Sequence, residues 1–230
     1  MIKNQFYKLI FVTFLLNLSI NSFAQSTIFE HNFKNIGIVI GNNVNIYSYD
    51  NGWKRSVEMD FILPYGYKNI FGYNLGNLGV VIDNKIRFYE FRETWNESSR
   101  REFNLSSVYE KIFLFGFVDL GIINNNRIKF YQAAFAWAEE PQKEFILPNG
   151  YKDAFQLIPY IGVILNNEIK FYGYTNNWNE LKEMKFDLQQ GYYYAFGLSG
   201  SILCIVFDKK IKFYHFGAKW EELKHLEFNY

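Results

Sequence analysis

The chain has one cysteine, four prolines and no long apolar run. Cys204 alone cannot form an intrachain disulfide, so packing must hold the fold together. Crossing a bilayer as a helix takes about 20 consecutive apolar residues. The clearest apolar stretch, Leu9–Leu16, is far shorter, and no later segment spans. Charge of either sign is not in excess: 24 Lys and Arg stand against 23 Asp and Glu. Such a chain offers no electrostatic footprint for nucleic acid or for an anionic lipid surface. Histidine is scarce too. His31, His215 and His225 share no short ligand spacing, and a zinc site needs three or four convergent ligands. There is no nucleophile-elbow motif and no glycine-rich phosphate loop ahead of a helix. No cofactor and no metal are implied.

The first 24 residues have the form of a cleaved secretory signal. Lys3 and Lys8 make a basic start, Leu9–Leu16 is the apolar centre, and Ser22-Phe23-Ala24 precedes a cut before Gln25. Removing the two lysines lowers the net charge from +1 to −1. The expected location is therefore secreted or periplasmic. No cysteine stands at the cleavage site to carry a lipid anchor.

The rest of the sequence is one unit written five times. Tyr47, Tyr89, Tyr131, Tyr172 and Tyr214 step by 42, 42, 41 and 42 residues, and Trp53, Trp95, Trp137, Trp178 and Trp220 step identically. A period of this length dictates the fold. Each copy contains four short segments rich in Phe, Ile, Val and Tyr, separated by Asn, Asp and Gly; these read as strands and turns. The second segment (Ile36–Ile40, Leu78–Ile82, Leu120–Ile123, Ile161–Leu165, Ile202–Phe207) is apolar without alternation. It should be covered on both faces. The fourth alternates, with Phe61, Phe103, Phe145, Phe186 and Phe228 on one face and charges on the other, as befits an outer edge. Tight turns are expected at Asn42-Asn43, Asp83-Asn84, Asn125-Asn126, Asn166-Asn167 and Asp208-Lys209. In the second segment Cys204 takes the place held by Gly37, Gly79, Gly121 and Gly162, a position for a small, buried residue.

A repeated four-stranded meander with an outer-to-inner crossover reads as an all-β, five-bladed β-propeller. Its blades span about 27–63, 69–105, 111–147, 153–188 and 194–230, within a propeller domain covering 25–230. The strand pattern resembles the WD-repeat arrangement, with Lys85–Phe91 in the place of that family's Thr-Ile-Arg-Leu-Trp-Asp-type strand, but lacks its Gly-His and Trp-Asp signatures. Tachylectin-type lectins are similar in blade count and in being secreted. The copies fit without remainder, so the ring should close by side-chain packing, with no strand exchanged between the ends. An open solenoid would need polar capping repeats, and none is evident.

Glycosidase chemistry needs paired carboxylates facing across a sugar. The row after each first-strand phenylalanine is Glu30, Gly72, Leu114, Gln156 and Gly197, which holds a single acid. An enzyme working through Glu30 is thus the remotest reading. The basic row Arg87, Lys129, Lys170 and Lys212 is expected to pair across strands with Glu102, Glu144 and Glu227. Two aromatic groups are candidates for ligand contact. The five tryptophans lie near the hairpin joining strands three and four, where indoles either stack on sugar rings, with fivefold avidity, or close the gaps between blades. Tyr192, Tyr193 and Tyr194 form a local cluster suited to glycan or protein contacts. The expected function is non-enzymatic recognition of a glycan or of another envelope or extracellular protein. A purely structural scaffold is the alternative.

Overall fold

A strand apolar on both faces has to be covered twice, and the architecture follows from how five such strands are covered. The computed structural model describes residues 27–32, 34–73, 76–106, 108–116, 118–133, 136–198 and 201–230, and the expected signal segment 1–24 lies outside them. Five antiparallel sheets follow one another along the chain. Blade 1 contains β1 (Ile28–Asn32), β2 (Asn35–Ile40), β3 (Asn43–Tyr49), β4 (Trp53–Arg55) and β5 (Phe61–Ile62). Blade 2 contains β6 (Tyr67–Tyr73), β7 (Asn77–Ile82), β8 (Lys85–Phe91) and β9 (Trp95–Asn104). Blade 3 contains β10 (Lys111–Phe115), β11 (Asp119–Asn124), β12 (Arg127–Gln132), β13 (Ala138–Glu139) and β14 (Phe145–Ile146). Blade 4 contains β15 (Tyr151–Leu157), β16 (Tyr160–Leu165), β17 (Glu168–Tyr174), β18 (Trp178–Glu180) and β19 (Phe186–Asp187). Blade 5 contains β20 (Tyr194–Leu198), β21 (Ile202–Phe207), β22 (Lys210–Phe216), β23 (Trp220–Glu222) and β24 (Phe228–Asn229).

The result is an all-β, five-bladed propeller. Inner strands β1, β6, β10, β15 and β20 pack against their neighbours around the axis, and β20 meets β1. The ring is closed and the open solenoid is excluded. Among the described residues each sheet is built from consecutive strands, with none exchanged between the ends.

Burial is distributed over five wedges, one between each pair of blades, and not over one central core. In β7, Leu78 and Val80 enter the wedge shared with blade 1, while Val81 enters the wedge shared with blade 3. This two-sided burial is why the second strand shows no alternation. The small-residue row is explained by the phenylalanine across from it. Phe71 pairs with Gly79, and a Cβ on Gly79 would lie 2.3 Å from the ring's Cζ. Phe29, Phe113 and Phe155 cover Gly37, Gly121 and Gly162 in the same way. Cys204 faces Phe196 and is fully buried, and burial pushes its thiol pKa well up. The hairpins between second and third strands fall where expected in blades 2 to 5. In blade 1 the turn is Gly41-Asn42, one residue earlier, because Ile40 pairs with Asn43 and Gly41 supplies the positive φ of 61°.

The fourth strand departs from the simple meander. In blades 1, 3, 4 and 5 it is split by a single 3₁₀ turn: Val57–Met59, Pro141–Lys143, Lys182–Met184 and Lys224–Leu226. Both halves pair with the third strand. Blade 2 instead runs unbroken through β9, with a register shift between Arg87 and Tyr89. Arg87 does stand opposite Glu102 in the strand register, as expected, but the side-chain ion pairs are displaced in blades 2, 3 and 5. Lys129 meets Glu139 at 2.9 Å, Lys212 meets Glu222 at 3.3 Å and Arg87 meets Glu97 at 3.6 Å. The outer acids take the residue two positions before the basic row: Glu102 meets Lys85 at 2.8 Å, and Glu144 meets Arg127. Blade 4 keeps the second contact with its signs exchanged, Glu168 to Lys185 at 2.7 Å. In blade 1, Asn45 replaces the base and accepts from Arg55 at 2.9 Å. These half-exposed pairs set register more than stability, at about 0–1 kcal/mol each.

The 3₁₀ turn also frees a carbonyl, and the next blade uses it. The indole Nε1–H of Trp95 donates to Met59 O at 3.0 Å, Trp178 to Lys143 O at 2.7 Å, Trp220 to Met184 O at 2.7 Å, and Trp53 to Leu226 O at 2.6 Å. Each acceptor is the last residue of the preceding blade's turn, where a backbone carbonyl lacks a helical partner. The rings stack on that blade's third-strand phenylalanine: Trp137 on Phe88 at 5.2 Å and 13°, Trp53 on Phe213 at 5.4 Å and 24°, Trp178 on Phe130 at 5.5 Å and 25°. The repeat tyrosines cross the same seam. Tyr47–Phe228, Tyr89–Phe61, Tyr131–Phe103, Tyr172–Phe145 and Tyr214–Phe186 all have centroids 4.8–5.0 Å apart. Since Trp53 and Tyr47 join blade 1 to blade 5, ring closure uses the same contacts as every other seam. Trp53→Ala should destabilise the protein by about 3–5 kcal/mol. Trp53→Phe, which keeps a ring but strands Leu226 O, should cost about 1–3 kcal/mol. Urea unfolding measures both, and an alanine variant within about 1 kcal/mol of the parent would show that closure rests elsewhere.

Candidate functional site

Strand direction sorts the aromatic candidates onto opposite ends of the ring. First and third strands start at one end, which also carries the second-to-third hairpins and the crossovers between blades; we call it the crossover face. The hairpins leading to the fourth strands, with the five tryptophans, lie at the other end. There all five indoles are half-buried with their faces against the neighbouring blade, and the N–H groups of Trp53, Trp95, Trp178 and Trp220 donate to it as described.

The crossover face holds the tyrosine cluster. Pro64-Tyr65-Gly66-Tyr67 forms a β-turn with Tyr67 N–H donating to Pro64 O at 3.3 Å, and Gly66 at φ 78° supplies the left-handed position. Gly150 and Gly191 repeat it at 79° and 84°. Tyr67 and Tyr192 reach back to the preceding blade's hairpin, donating to Gly41 O and Asn166 O at 3.5 and 3.4 Å, and Tyr151 donates to Glu110 at 2.5 Å. Tyr194 is half-buried and accepts from Ile28 N–H at 2.7 Å, tying blade 5 to blade 1; burial pushes its phenol pKa up. Of the cluster, Tyr193 is the residue turned outward, at 51% exposure. Tyr65 is fully exposed, and Ile40, Ile62, Val108 and Ile146, from blades 1 and 3 and the crossover between blades 2 and 3, are exposed on the same end.

An axial cavity of about 360 Å³ opens between the inner strands. Its lining falls within residues 27–30, 69–72, 111–114, 153–156 and 194–197, and the row beyond them, with His31, Tyr73, Leu157 and Leu198 buried, closes the far end, so the cavity opens toward the crossover face. Thr27, Asn69, Lys111, Asp153 and Tyr194 ring the mouth. Ile28, Ile70, Ile112 and Ala195 contribute apolar wall, and Glu30, Leu114 and Gln156 lie deeper. Below them the strands close up. A Cβ on Gly72 would fall 1.8 Å from Glu30 O, and one on Gly197 would fall 2.2 Å from Gln156 O, so glycine is required for these approaches. Lys111 and Asp153 form a two-pronged ion pair across neighbouring blades, 2.7 and 2.8 Å. The pair lies two residues before Phe113 and Phe155, in a row outside those that follow the first-strand phenylalanines. The signal was available: that row is polar in four of its five copies and aromatic in the fifth.

Chemistry at this site is limited. Among the described lining residues the carboxylates are Glu30 and Asp153, and Asp153 is already paired with Lys111. Described residues contain no group of three or more His, Cys, Asp or Glu arranged to hold a metal ion, and no described helix is long and apolar enough to cross a membrane. His31 lies one residue beyond Glu30, outside the cavity lining, 2% exposed and edge-on to Trp95 at 5.9 Å. Neither ring nitrogen has a hydrogen-bond partner of good geometry among the described residues; the nearby Gly76 backbone favours the charged form slightly, but burial dominates and lowers the pKa to about 4.

No family model matches the sequence, and no curated protein matches it. Among solved structures the chain is similar to Hsv2 of Kluyveromyces lactis, with 11% identity and a TM-score of 0.51 over 84% of this chain and 74% of that one. It also aligns with virginiamycin B lyase from Staphylococcus aureus, with 16% identity and a TM-score of 0.44 over 85% of this chain and 68% of that one. The likeness to Hsv2 is one of fold, and the lyase alignment is too loose to bear on chemistry.

His31 yields a pH prediction. Its folded pKa lies below the unfolded value of 6.5, so the unfolded chain takes up the proton first as pH falls. Stability should drop between pH 6.5 and about 4, by about 3 kcal/mol, and level off below. Denaturant titrations across this range should show a flatter acid limb for His31→Leu; parallel limbs would place the acid sensitivity elsewhere.

Proposed function

We propose that the protein is an extracytoplasmic, non-enzymatic recognition module that binds another protein through its crossover face. One observation carries this reading: the large side chains left in solvent at that end include Tyr65 and Tyr193 together with Ile40, Ile62, Val108 and Ile146. Single exposed apolar residues are ordinary, but several sharing one end of a ring, with tyrosines among them, have the composition of a protein-binding surface. The tryptophans, the strongest candidates for sugar stacking, are engaged between blades. Support for a non-enzymatic role comes from the cavity, where Asp153 is held by Lys111 and no nucleophile stands beside a base among the described lining residues. Extracytoplasmic placement rests on the signal-like residues 1–24. Glycan binding is the second reading, and the outward Tyr193 beside Tyr192 favours it.

The test pairs a pull-down from envelope and culture-fluid fractions with a glycan array, using the mature chain and two variants, Tyr65→Ala/Tyr193→Ala and Ile62→Lys/Ile146→Lys. A captured partner should be lost at least about tenfold in both variants. Their stability should stay within about 0.5 kcal/mol of the parent, since the side chains are exposed. A partner retained by both variants would refute the crossover face as the binding surface. A saturable glycan lost only with the tyrosines would move the assignment to the second reading.

A further inference from the structure

The axial cavity has the makings of a second, separate site. Its size lies near the lower end of small-molecule pockets, roughly 300–1,000 Å³, and it shares their pattern of apolar walls with a few convergent polar groups. The Lys111–Asp153 pair at its mouth is not saturated. The Lys111 ammonium has three N–H donors, of which one or two reach Asp153, so at least one remains. The Asp153 carboxylate accepts Lys111 on both oxygens and Ala154 N–H on Oδ1 at 2.8 Å. A carboxylate has about four acceptor positions, so one is left. Both side chains are partly open to solvent, at 33% and 25%. A donor and an acceptor thus sit side by side above a wall of Ile28, Ile70, Ile112 and Ala195.

We infer that the cavity binds a small uncharged molecule with an apolar body and a single end that both donates and accepts hydrogen bonds, such as a primary amide. The amide carbonyl takes the spare N–H of Lys111, its N–H₂ gives to Asp153, and the apolar body lies inward against the isoleucines. Charge selects against ions. The pair is neutral as a unit, so neither an anion nor a cation gains without competing with the existing partner. The apolar walls, in which Phe29, Phe71, Phe113, Phe155 and Phe196 stand beside the isoleucines, favour a compact apolar body over an extended polar one. This site is independent of the protein-binding surface, since Tyr65, Tyr193, Ile62 and Ile146 are not among its lining residues.

Benzamide, benzoate and benzylamine, alike in their ring and differing in head-group charge, are the probes. Titration calorimetry or ligand-observed NMR on the mature chain should show saturable one-site binding of benzamide with Kd on the order of 1 mM or tighter. Benzoate and benzylamine should bind at least about fivefold more weakly. Lys111→Met keeps the aliphatic stem but removes the donors, and should weaken benzamide about tenfold. Leu114→Trp, which fills the deep end, should abolish binding. Should that variant fail to fold, Lys111→Met at the mouth still decides. No benzamide binding by 10-fold above that Kd, tighter binding of either ion, or equal binding by the parent and Lys111→Met would overturn the assignment. Unchanged benzamide binding by Tyr65→Ala/Tyr193→Ala separates this site from the crossover surface; a matching loss there would overturn their independence.

Discussion

The seam between blades is the contact on which this propeller depends. At each described seam an indole of one blade lies against a ring or aliphatic side chain of the blade before it. In four of them the indole N–H is seen to donate to the backbone carbonyl released by that blade's 3₁₀ turn. The tyrosine of the third strand adds a second aromatic contact across every seam. Hydrophobic area alone is non-directional. A hydrogen bond to one carbonyl and a tilted ring pair fix both the spacing and the angle of adjacent sheets. Repeated five times, that fixed relation brings blade 5 back to blade 1.

Closure therefore needs no covalent or strand-exchange device. Trp53 and Tyr47 meet Leu226, Phe213 and Phe228 as their equivalents meet their own neighbours, and Ile28 N–H to Tyr194 adds a bond near the axis. With a lone, buried cysteine, the chain relies on this repetition. The same geometry explains why the fourth strand is broken. A continuous outer strand would point its carbonyls along the sheet, whereas a 3₁₀ turn presents one toward the next blade. Blade 2 is the exception, with β9 unbroken and a bulge against β8.

Copies that differ at an otherwise repeated position locate the parts not devoted to the fold. Gly72 and Gly197 let two pairs of inner strands close up, while Leu114, Gln156 and Glu30 occupy the same row without doing so. The axis is thus unequal around the ring, narrow deep in the channel and open toward the crossovers. Lys111 and Asp153 face each other across one seam only, where other blades carry Thr27, Asn69 and Tyr194. On the crossover face, Tyr65 and Tyr193 stand in solvent while Tyr67, Tyr151 and Tyr192 are tied back to the preceding blade or crossover.

Much of this was legible in the sequence because a repeat makes remote neighbours visible. The step of Tyr47 and Trp53 to their next copies gives the blade count, the unalternating run Leu78–Ile82 gives the two-sided burial, and Gly79 in line with Cys204 gives the small-residue row. Those properties belong to one repeat and its local pattern, and local pattern survives in sequence. The direction in which each tryptophan turns does not, because Trp95 and Met59 are 36 residues apart and nothing in either copy names the other as partner. The ion pairs of Lys129 and Lys212 depart from the simple register for a related reason: the 3₁₀ turn ends the outer-strand pairing at Ile128 and Ile211, and the lysines meet Glu139 and Glu222 on the other side of the turn. Glu30, Lys111 and Asp153 come from three blades, and only closure of the ring puts them around one cavity. The sequence alone determined the fold, through periodicity and alternation. Tertiary structure decided which residues share a surface, because that depends on how five sheets are angled around an axis.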